Sequence, residues 1–269
     1  MGQRVIRLVK IAAKLGVVGG AFCLLYPAQR LALWRGSSWA GRLPVYFHRL
    51  ILACLGVRIT LAGTPAPQRP LLLTANHVSW LDISLLGSRL PLSFIAKSEV
   101  KAWPVVGLFA RLQRTIFIDR HRRQATGSVS DEMGQRLSAG DCLLLFAEGT
   151  SSDGRRVLPF RSALLGGVRA ALMTGSSREA ITVQPVAIAY SGYRGLPMAR
   201  RRLPAYAWYG DMELAPHLLN VLDDGMIDVT ISFGEPHALT LDDDRKDIAR
   251  RLEAATRSML HSAQHGRIA

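Results

Sequence analysis

The sequence predicts an α/β fold, a mixed, largely parallel sheet flanked by helices, with an N-terminal membrane-associated pair of amphipathic helices. Two observations lead to this prediction. From residue 57 onward, short apolar runs of strand length alternate with longer segments of helical periodicity, as in a sheet covered by helices on both faces. Before residue 57, basic residues recur among apolar ones at helical intervals. We therefore expect a helical anchor over residues 1–56 and an α/β domain over residues 57–269, joined without a linker.

The predicted anchor has two parts. Basic residues recur every three or four positions over residues 4–14, which is typical of an amphipathic helix at a membrane surface. The uncharged run over residues 15–28 is shorter than the roughly twenty residues that cross a bilayer, so it favours a re-entrant or interfacial anchor. Residues 31–57 mix aromatic side chains with arginines, as at headgroup depth. A signal peptide, or aromatic side chains packed on the α/β domain, are the alternative interpretations.

The rest of the chain divides into strands and helices by its hydrophobic pattern and its turn residues. The predicted strands cover residues 58–62, 71–74, 92–96, 115–118, 142–146, 183–190, 205–209 and 227–233. The predicted helices cover residues 79–89, 100–113, 123–139, 162–174 and 243–261.

The composition favours an anionic membrane surface as a partner. The 34 lysines and arginines outnumber the 20 acidic residues and give a net charge of +14, which attracts anionic surfaces. Because 49% of the residues are hydrophobic and no zinc-finger or RNA-stacking motif is present, we expect no nucleic-acid partner and no metal site. Cys23, Cys54 and Cys142 lack metal-ligand spacing and are interpreted as packing residues in a reducing compartment.

A histidine and an aspartate mark the first candidate site. His77 follows a short leucine-rich strand, at the strand end where open α/β sheets bind ligands. Asp82 falls in the first turn of the next helix, where it can accept the Nδ1 proton of His77 and leave Nε2 as a general base. Backbone amides at the start of that helix would then stabilise an oxyanion. Alternatively, Ser79 and Asp82 form a capping box, and the same spacing recurs at His237 and Asp242 in a charged segment.

A glycine-containing loop forms the second candidate site. Glu148, Gly149 and Thr150 follow another apolar strand, and Glu148 could act in catalysis, bind a hydroxyl or pair with an arginine. Three arginines follow and would add bidentate phosphate contacts: Arg155, Arg156 and Arg161. The loop lacks the Lys-Ser/Thr pair of a P-loop, so we expect no nucleotide hydrolysis. No Gly-x-Ser-x-Gly elbow occurs, which argues against a serine hydrolase of the α/β type.

Taken together, four segments resemble the lysophosphatidic acid acyltransferase family of glycerolipid acyltransferases. Residues 76–82 are similar to its Asn-His-x-Ser-x-x-Asp block, and residues 116–120, 146–150 and 183–186 are similar to its second, third and fourth blocks. Four blocks in the family order, across about 110 residues, are far more specific than one of them alone.

The resemblance implies a role for each block. His77 would be the general base, Asp82 would orient it, and Arg120, Glu148 and Gly149 would bind the acceptor. We add Asn76 and Thr150 from the same blocks, and the three arginines of the second candidate site, as substrate-binding candidates. Arg120 lies in a basic cluster that would otherwise be an ordinary solvated loop.

The resemblance also implies an activity and a place for it. The protein would be an O-acyltransferase that moves an acyl group from acyl-CoA or acyl-carrier protein to a lysolipid, without a cofactor. The first choice of acceptor is 1-acylglycerol-3-phosphate, with phosphatidate as the product of phospholipid biosynthesis. Residues 57–269 would be the catalytic domain, at the cytoplasmic face of a bacterial inner membrane.

Five positions depart from the family blocks. Arg114 replaces a glycine, Ala147 and Ser151 replace a proline and an arginine, and Thr182 and Gln184 break an apolar-proline pattern. Without an arginine at position 151, a phosphate-bearing acceptor would need one of the nearby arginines instead. Residues 148–165 and 208–212 are similar to bacterial lyso-ornithine lipid acyltransferases, which gives an alternative acceptor.

Two alternatives come from other functional classes. A non-catalytic protein that binds anionic lipid would explain the net charge and the anchor, but it would leave the blocks at residues 76–82 and 146–156 as coincidences. A nucleic-acid-binding protein would explain the charge alone.

Overall fold

The computed structural model describes residues 2–118, 123–174 and 180–266. Its helices are α1 Gly2–Trp34, α2 Trp39–Leu55, α3 Leu81–Gly87, α4 Val106–Leu112, α5 Arg123–Ser138, α6 Gly166–Thr174, α7 Leu214–Asp224 and α8 Arg245–Gln264. Its strands are β1 Arg58–Ala62, β2 Leu71–Ala75, β3 Ser93–Lys97, β4 Ile116–Ile118, β5 Cys142–Phe146, β6 Ile181–Tyr193, β7 Leu196–Pro197, β8 Ile227–Phe233 and β9 His237–Leu239. Short 3-10 helices cover Ser98–Ala102, Ser162–Leu165 and Leu203–Ala205.

The described strands form one mixed sheet in the order β1-β8-β6-β2-β5-β3-β4, with β7 and β9 paired to β6. Strand β6 runs parallel to β2 and antiparallel to β8, whereas β2, β5, β3 and β4 are parallel neighbours. Ala75, the last residue of β2, lies opposite Phe146 of β5 and Val186 of β6. The loops that follow β2 and β5 therefore leave the sheet side by side. The predicted fold class is confirmed.

The central strand β2 places its leucines alternately in two cores. Leu71 and Leu73 pack with α3, α7 and β8 on one face of the sheet, and Leu72 packs with α5, α6 and α8 on the other. All three leucines are completely buried, which stabilises the fold by about 1.5–3 kcal/mol for each side chain. Helices on both faces explain why the strand is uniformly apolar rather than alternating.

Most of the predicted strands are present, and those over residues 58–62, 142–146 and 227–233 have the predicted bounds. The strand predicted over residues 205–209 is wrong. The 3-10 helix Leu203–Ala205 and a turn occupy this segment, because Tyr206 and Ala207 are buried under the sheet rather than paired with it. Helix α7 was missed, although Pro216 in its first turn is a typical helix start.

The helix predicted over residues 100–113 is also wrong as a single element. It is divided into the 3-10 helix Ser98–Ala102 and α4, because Pro104 disfavours helical geometry in the residue before it. Trp103 accordingly has an extended backbone, with ψ at 132°.

The N-terminal helix pair is present, but α1 is one continuous helix of 33 residues. It is long and apolar enough to cross a membrane by length and composition, which the shorter uncharged run did not indicate. Arg7 Nε lies 3.0 Å from Asp223 Oδ2 at α7, and Gln29 Nε2 donates to Leu112 O at α4 over 2.7 Å. These contacts are about 33 Å apart along the helix. Helix α1 therefore lies along the α/β domain and exposes its other face.

Candidate active site

The corner between β2 and α3 is fixed to the neighbouring strand by Asn76. Its Oδ1 accepts a hydrogen bond from Ile188 N at 2.8 Å, and its Nδ2 donates to Ile188 O at 3.0 Å. The side chain is completely buried between β2 and β6. Asn76 therefore holds the corner against β6. The sequence analysis expected it to contact the substrate, whereas the structure buries it between two strands.

His77 and Asp82 form a directly bonded pair at this corner. His77 Nδ1 lies 2.8 Å from Asp82 Oδ2, and Asp82 is completely buried. The same oxygen accepts hydrogen bonds from Val78 N at 2.7 Å and Ser79 N at 2.9 Å, while Oδ1 accepts one from Tyr190 OH at 2.8 Å. An ionised carboxylate only accepts hydrogen bonds, so Nδ1 carries the proton and Nε2 has a free lone pair.

Both the capping-box interpretation and the catalytic interpretation assign a role to Asp82. Asp82 accepts the Ser79 N–H, as in a capping box, but α3 begins at Leu81 and Ser79 is not its N-cap. Because the amides of Val78 and Ser79 both donate to Asp82, neither is available to a substrate oxyanion. The expectation that amides next to His77 stabilise the oxyanion is wrong for these two groups.

Aromatic packing and a second loop hold His77 in place. Its ring stacks on Phe146 at a centroid distance of 3.9 Å and an angle of 14°. Its carbonyl oxygen accepts hydrogen bonds from Ser152 N at 2.8 Å and Ser152 Oγ at 3.2 Å. Gly154, at φ +73°, then passes so close to the corner that a Cβ would lie 2.8 Å from Val78 Cγ1. The loop after β5 is therefore packed tightly against the corner that carries His77.

The three candidate residues in the third family block, Glu148, Gly149 and Thr150, lie in different environments. Glu148 is 2% exposed, and its Oε1 accepts a hydrogen bond from Leu158 N at 3.0 Å. Burial raises the pKa of the Glu148 carboxyl to about 8, although the Leu158 N–H opposes this shift. Gly149 and Thr150 instead line a cavity, together with Ser151, which stands where the family has arginine.

The arginines proposed as phosphate ligands lie elsewhere. Arg155, Arg156 and Arg161 are exposed and do not line the cavity that contains His77. Arg155 Nε lies 3.7 Å from Asp153 Oδ2. Arg120 lies outside the described residues.

The cavity next to His77 has a volume of about 800 Å³. One part is apolar and is walled by α1 and α2, through side chains such as Phe22, Phe47 and Ile51. Within the described ranges, no arginine lines it, and the lysine and acidic side chains in its wall are Lys97, Glu99 and Asp211. The cavity thus brings His77 together with apolar side chains of α1 and α2 and a few charged groups, and it is large enough to hold a small-molecule ligand.

Comparison with known proteins identifies the chain. The family model described as Acyltransferase matches residues 58–189, which include His77, Asp82 and Glu148. A lyso-ornithine lipid O-acyltransferase from Brucella abortus is 49% identical over 90% of this chain and 91% of its own length. The chain belongs to the acyltransferase family. The predicted resemblance to glycerolipid acyltransferases is confirmed.

Two further comparisons, one of sequence and one of structure, support the family assignment. A 1-acyl-sn-glycerol-3-phosphate acyltransferase from Neisseria meningitidis is 31% identical over 86% of this chain and 91% of its own length. The crystal structure of the 1-acyl-sn-glycerophosphate acyltransferase PlsC from Thermotoga maritima has a TM-score of 0.58, with 19% identity and 96% of each chain covered. This acyltransferase therefore shares the PlsC fold, including the part that contains α1 and α2.

The structure adds residues that sequence reasoning missed in this acyltransferase. Tyr190 binds Asp82 from 108 positions away, so no local spacing indicates it. Trp80 lines the cavity and its Nε1 donates to His217 Nδ1 at 3.0 Å. Gln184, a departure from the fourth block, accepts a hydrogen bond from Ala66 N at 2.8 Å and donates to Thr64 O and Gly234 O. Gln184 therefore links the loop at Thr64 and Ala66 to Gly234, and it does not line the cavity.

Proposed function

We propose that this acyltransferase moves a fatty acyl group from a thioester donor to the hydroxyl of lyso-ornithine lipid. The sequence analysis placed 1-acylglycerol-3-phosphate first. The observation that favours the alternative is the wall of the cavity, because among the residues that the structure describes no arginine lines it, and arginine is the side chain best suited to a phosphate monoester. Ser151 contributes to that wall at the position where the family has arginine. The name of the 49% identical relative supports the same acceptor.

The bonded pair supports a direct transfer without an acyl-enzyme. His77 Nε2 removes the proton from the acceptor hydroxyl as its oxygen attacks the thioester carbonyl carbon. The tetrahedral intermediate then collapses, the carbon–sulfur bond breaks, and the thiolate takes the proton back from His77. Asp82 stabilises the imidazolium between these steps, and stacking on Phe146 limits rotation of the ring. General base catalysis of this kind contributes about 10²- to 10⁴-fold to the rate.

Helices α1 and α2 would hold the site at a membrane surface. Helix α1 exposes large apolar side chains, and the net charge of +14 would add attraction to anionic lipids. Because α1 contacts the domain along its length, we favour a helix that lies in one leaflet. Residues 1–56 would then be both anchor and cavity wall. Acyl-CoA and acyl-carrier protein are cytoplasmic donors, so the site would face the cytoplasm at a bacterial inner membrane.

An acyl-transfer assay with paired acceptors tests this proposal. Membranes containing the protein receive labelled acyl-CoA or labelled acyl-carrier protein, together with lyso-ornithine lipid or lysophosphatidate. We expect labelled ornithine lipid with at least one donor, and loss of the label with His77→Ala. His237→Ala is the matched control, because His237 has the same spacing from Asp242 but lies exposed on β9.

Three other outcomes would contradict the proposal. Labelled phosphatidate at an equal or higher rate would restore 1-acylglycerol-3-phosphate as the acceptor. Full activity of His77→Ala would overturn the mechanism. No label with either lysolipid would favour a non-catalytic protein that binds anionic lipid.

A further inference from the structure

An indole and an imidazole form a bonded pair beside the corner between β2 and α3. Trp80 precedes the first residue of α3 and lines the cavity that contains His77. Its Nε1 donates a hydrogen bond to His217 Nδ1 over 3.0 Å, and the two rings meet edge to face at a centroid distance of 6.4 Å and an angle of 89°. His217 lies on α7, does not line the cavity and is 5% exposed. The pair therefore joins the wall of the cavity to a helix that lies 137 residues further along the chain.

The protonation state of His217 follows from its partner. An indole N–H only donates, so His217 Nδ1 accepts the hydrogen bond, and the neutral ring has its proton on Nε2. Burial lowers the pKa of the His217 ring below its ordinary value, although an interaction with the backbone of Ala207 opposes this shift. The ring is therefore neutral near neutral pH, which keeps Nδ1 available as an acceptor for Trp80.

Helix α7 is itself held at its C-terminal end by α1. Lys14 Nζ donates to Leu222 O at 2.6 Å, and Arg7 Nε lies 3.0 Å from Asp223 Oδ2. Three leucines of α7 recur at intervals of four residues and line the cavity together with Trp80: Leu214, Leu218 and Leu222. The acceptor of the Trp80 hydrogen bond thus stands on an element that already forms part of the cavity wall.

The position of Trp80 bears on the geometry of the reaction. It stands three residues after His77 and two before Asp82, and its ring lines the same cavity as His77. The substrates have to meet His77 Nε2 within this cavity, and transfer is fast only when the reacting atoms are aligned. Without a partner for Nε1, the indole would be free to turn to another rotamer, which would change the space next to the base.

Building on the proposed function, we propose that His217 is a positioning residue for acyl transfer. Its Nδ1 holds the Trp80 indole in one orientation, and the indole forms the part of the wall that aligns the bound lipid chains with His77. His217 touches neither substrate and moves no proton in the reaction. The role belongs to the hydrogen bond between the two rings rather than to the bulk of either ring.

A double-mutant cycle tests the role of this hydrogen bond. Steady-state kinetics is measured on the full-length protein in phosphatidylcholine vesicles, with lyso-ornithine lipid and the acyl donor that the wild type uses. Trp80→Phe keeps an aromatic ring but removes the donor, and His217→Leu removes the acceptor. His217→Asn replaces Nδ1 by an amide oxygen that can accept the same hydrogen bond. Val221→Ala is the matched control, because Val221 is buried four residues later on α7 and does not line the cavity.

We expect His217→Leu and Trp80→Phe each to lower kcat by about tenfold, because the bound chains lose alignment, while KM changes by less than about threefold. The double variant Trp80→Phe, His217→Leu should be no slower than Trp80→Phe alone, since both changes remove the same interaction. His217→Asn should keep at least about half of the wild-type kcat, because its amide oxygen replaces Nδ1. Val221→Ala should lower Tm, because it leaves a cavity in the core, and should keep kcat within about twofold of the wild type.

Three results would overturn the positioning role alone. One is a wild-type kcat in His217→Leu or, if that variant does not fold, in Trp80→Phe. The second is a loss of kcat in the double variant that equals the product of the two single losses, because the two side chains would then act independently. The third is an equal loss in His217→Asn and His217→Leu, because the acceptor atom would then not matter. A wild type that acylates neither lyso-ornithine lipid nor lysophosphatidate would instead overturn the proposed function, and the positioning role with it.

Discussion

The phenol of Tyr190 donates a hydrogen bond to Asp82 Oδ1 at 2.8 Å, through the carboxylate oxygen that His77 does not use. Both side chains are buried, and the bond joins strand β6 to the corner between β2 and α3. Burial, together with the neighbouring Asp82 charge, raises the pKa of the Tyr190 phenol, so the group stays a donor across the working pH range. Tyr190 is therefore a positioning residue for the pair.

Replacing Tyr190 by phenylalanine should lower kcat by about tenfold, because a hydrogen bond to a charged group contributes about 1.5–3 kcal/mol and Asp82 would lose one restraint. KM should change little, since Tyr190 does not line the cavity. Tyr193→Phe is the matched control, because that hydroxyl lies on the same strand and donates to Asp224 instead. Steady-state kinetics of both variants checks this. Equal kcat values for the two variants would mean that the hydroxyl of Tyr190 does not support catalysis.

Local chemistry explains what could be predicted from the sequence. The strands of the central sheet are continuous apolar runs because helices cover both faces, and such runs are visible without a structure. His77 and Asp82 are only five residues apart, so the turn between them determines their contact. Prediction succeeded where neighbours in sequence are also neighbours in space.

Contacts between distant segments explain what could not be predicted. The bond between Tyr190 and Asp82 depends on the pairing of β6 with β2. Arg155 does not line the cavity, and the loop that carries it is tied to the carbonyl of His77 through Ser152, a contact between segments 75 residues apart. The buried segment at residues 205–209 was mistaken for a strand, because an apolar run does not distinguish a strand from a buried turn.

Glu148 should be uncharged in the folded protein near neutral pH, so Glu148→Gln should retain most of the activity. Burial raises its folded-state pKa to about 8 from an ordinary value of 4.5. The folded state therefore holds a proton that the unfolded state releases, and this group lowers the stability progressively as pH rises from 4.5 to about 8. Glutamine has no proton to lose, so the Tm of the variant should fall less over this range.

Thermal unfolding between pH 5 and pH 9, together with an activity assay, checks the prediction for Glu148. Glu132→Gln is the control, because Glu132 is an exposed acid on α5. Its Tm profile should follow that of the wild type. If Glu148→Gln lost transfer while its Tm profile was unchanged, the carboxylate would have the substrate-binding role that the sequence analysis assigned to it.

Gly154→Ala should disturb both stability and catalysis. Gly154 has φ at +73°, and an added Cβ would lie 2.8 Å from Val78 Cγ1, next to His77. A left-handed conformation alone costs a residue other than glycine about 1–3 kcal/mol. Gly36→Ala separates the two effects, because Gly36 has φ at +61° with nothing within 4 Å of the added Cβ. We expect a lower Tm for both variants and a lower kcat for Gly154→Ala alone. Unchanged kcat in Gly154→Ala would show that the loop moves without disturbing His77.

The exposed apolar side chains of α1 should bind the protein to the membrane. Leu24 and Trp34 are 78% and 80% exposed, and neither lines the cavity. The double variant Leu24→Glu, Trp34→Glu should bind anionic vesicles at least about tenfold more weakly, because burying one large apolar side chain contributes about 1.5–3 kcal/mol. Met173→Glu is the control, because Met173 is 70% exposed but lies on α6. Vesicle sedimentation measures the binding, and activity on detergent-dispersed acceptor shows that the site is intact. If the double variant bound vesicles as tightly as the wild type, this face of α1 would not contact lipid, and the anchor would have to lie elsewhere, on α2 or on the α/β domain.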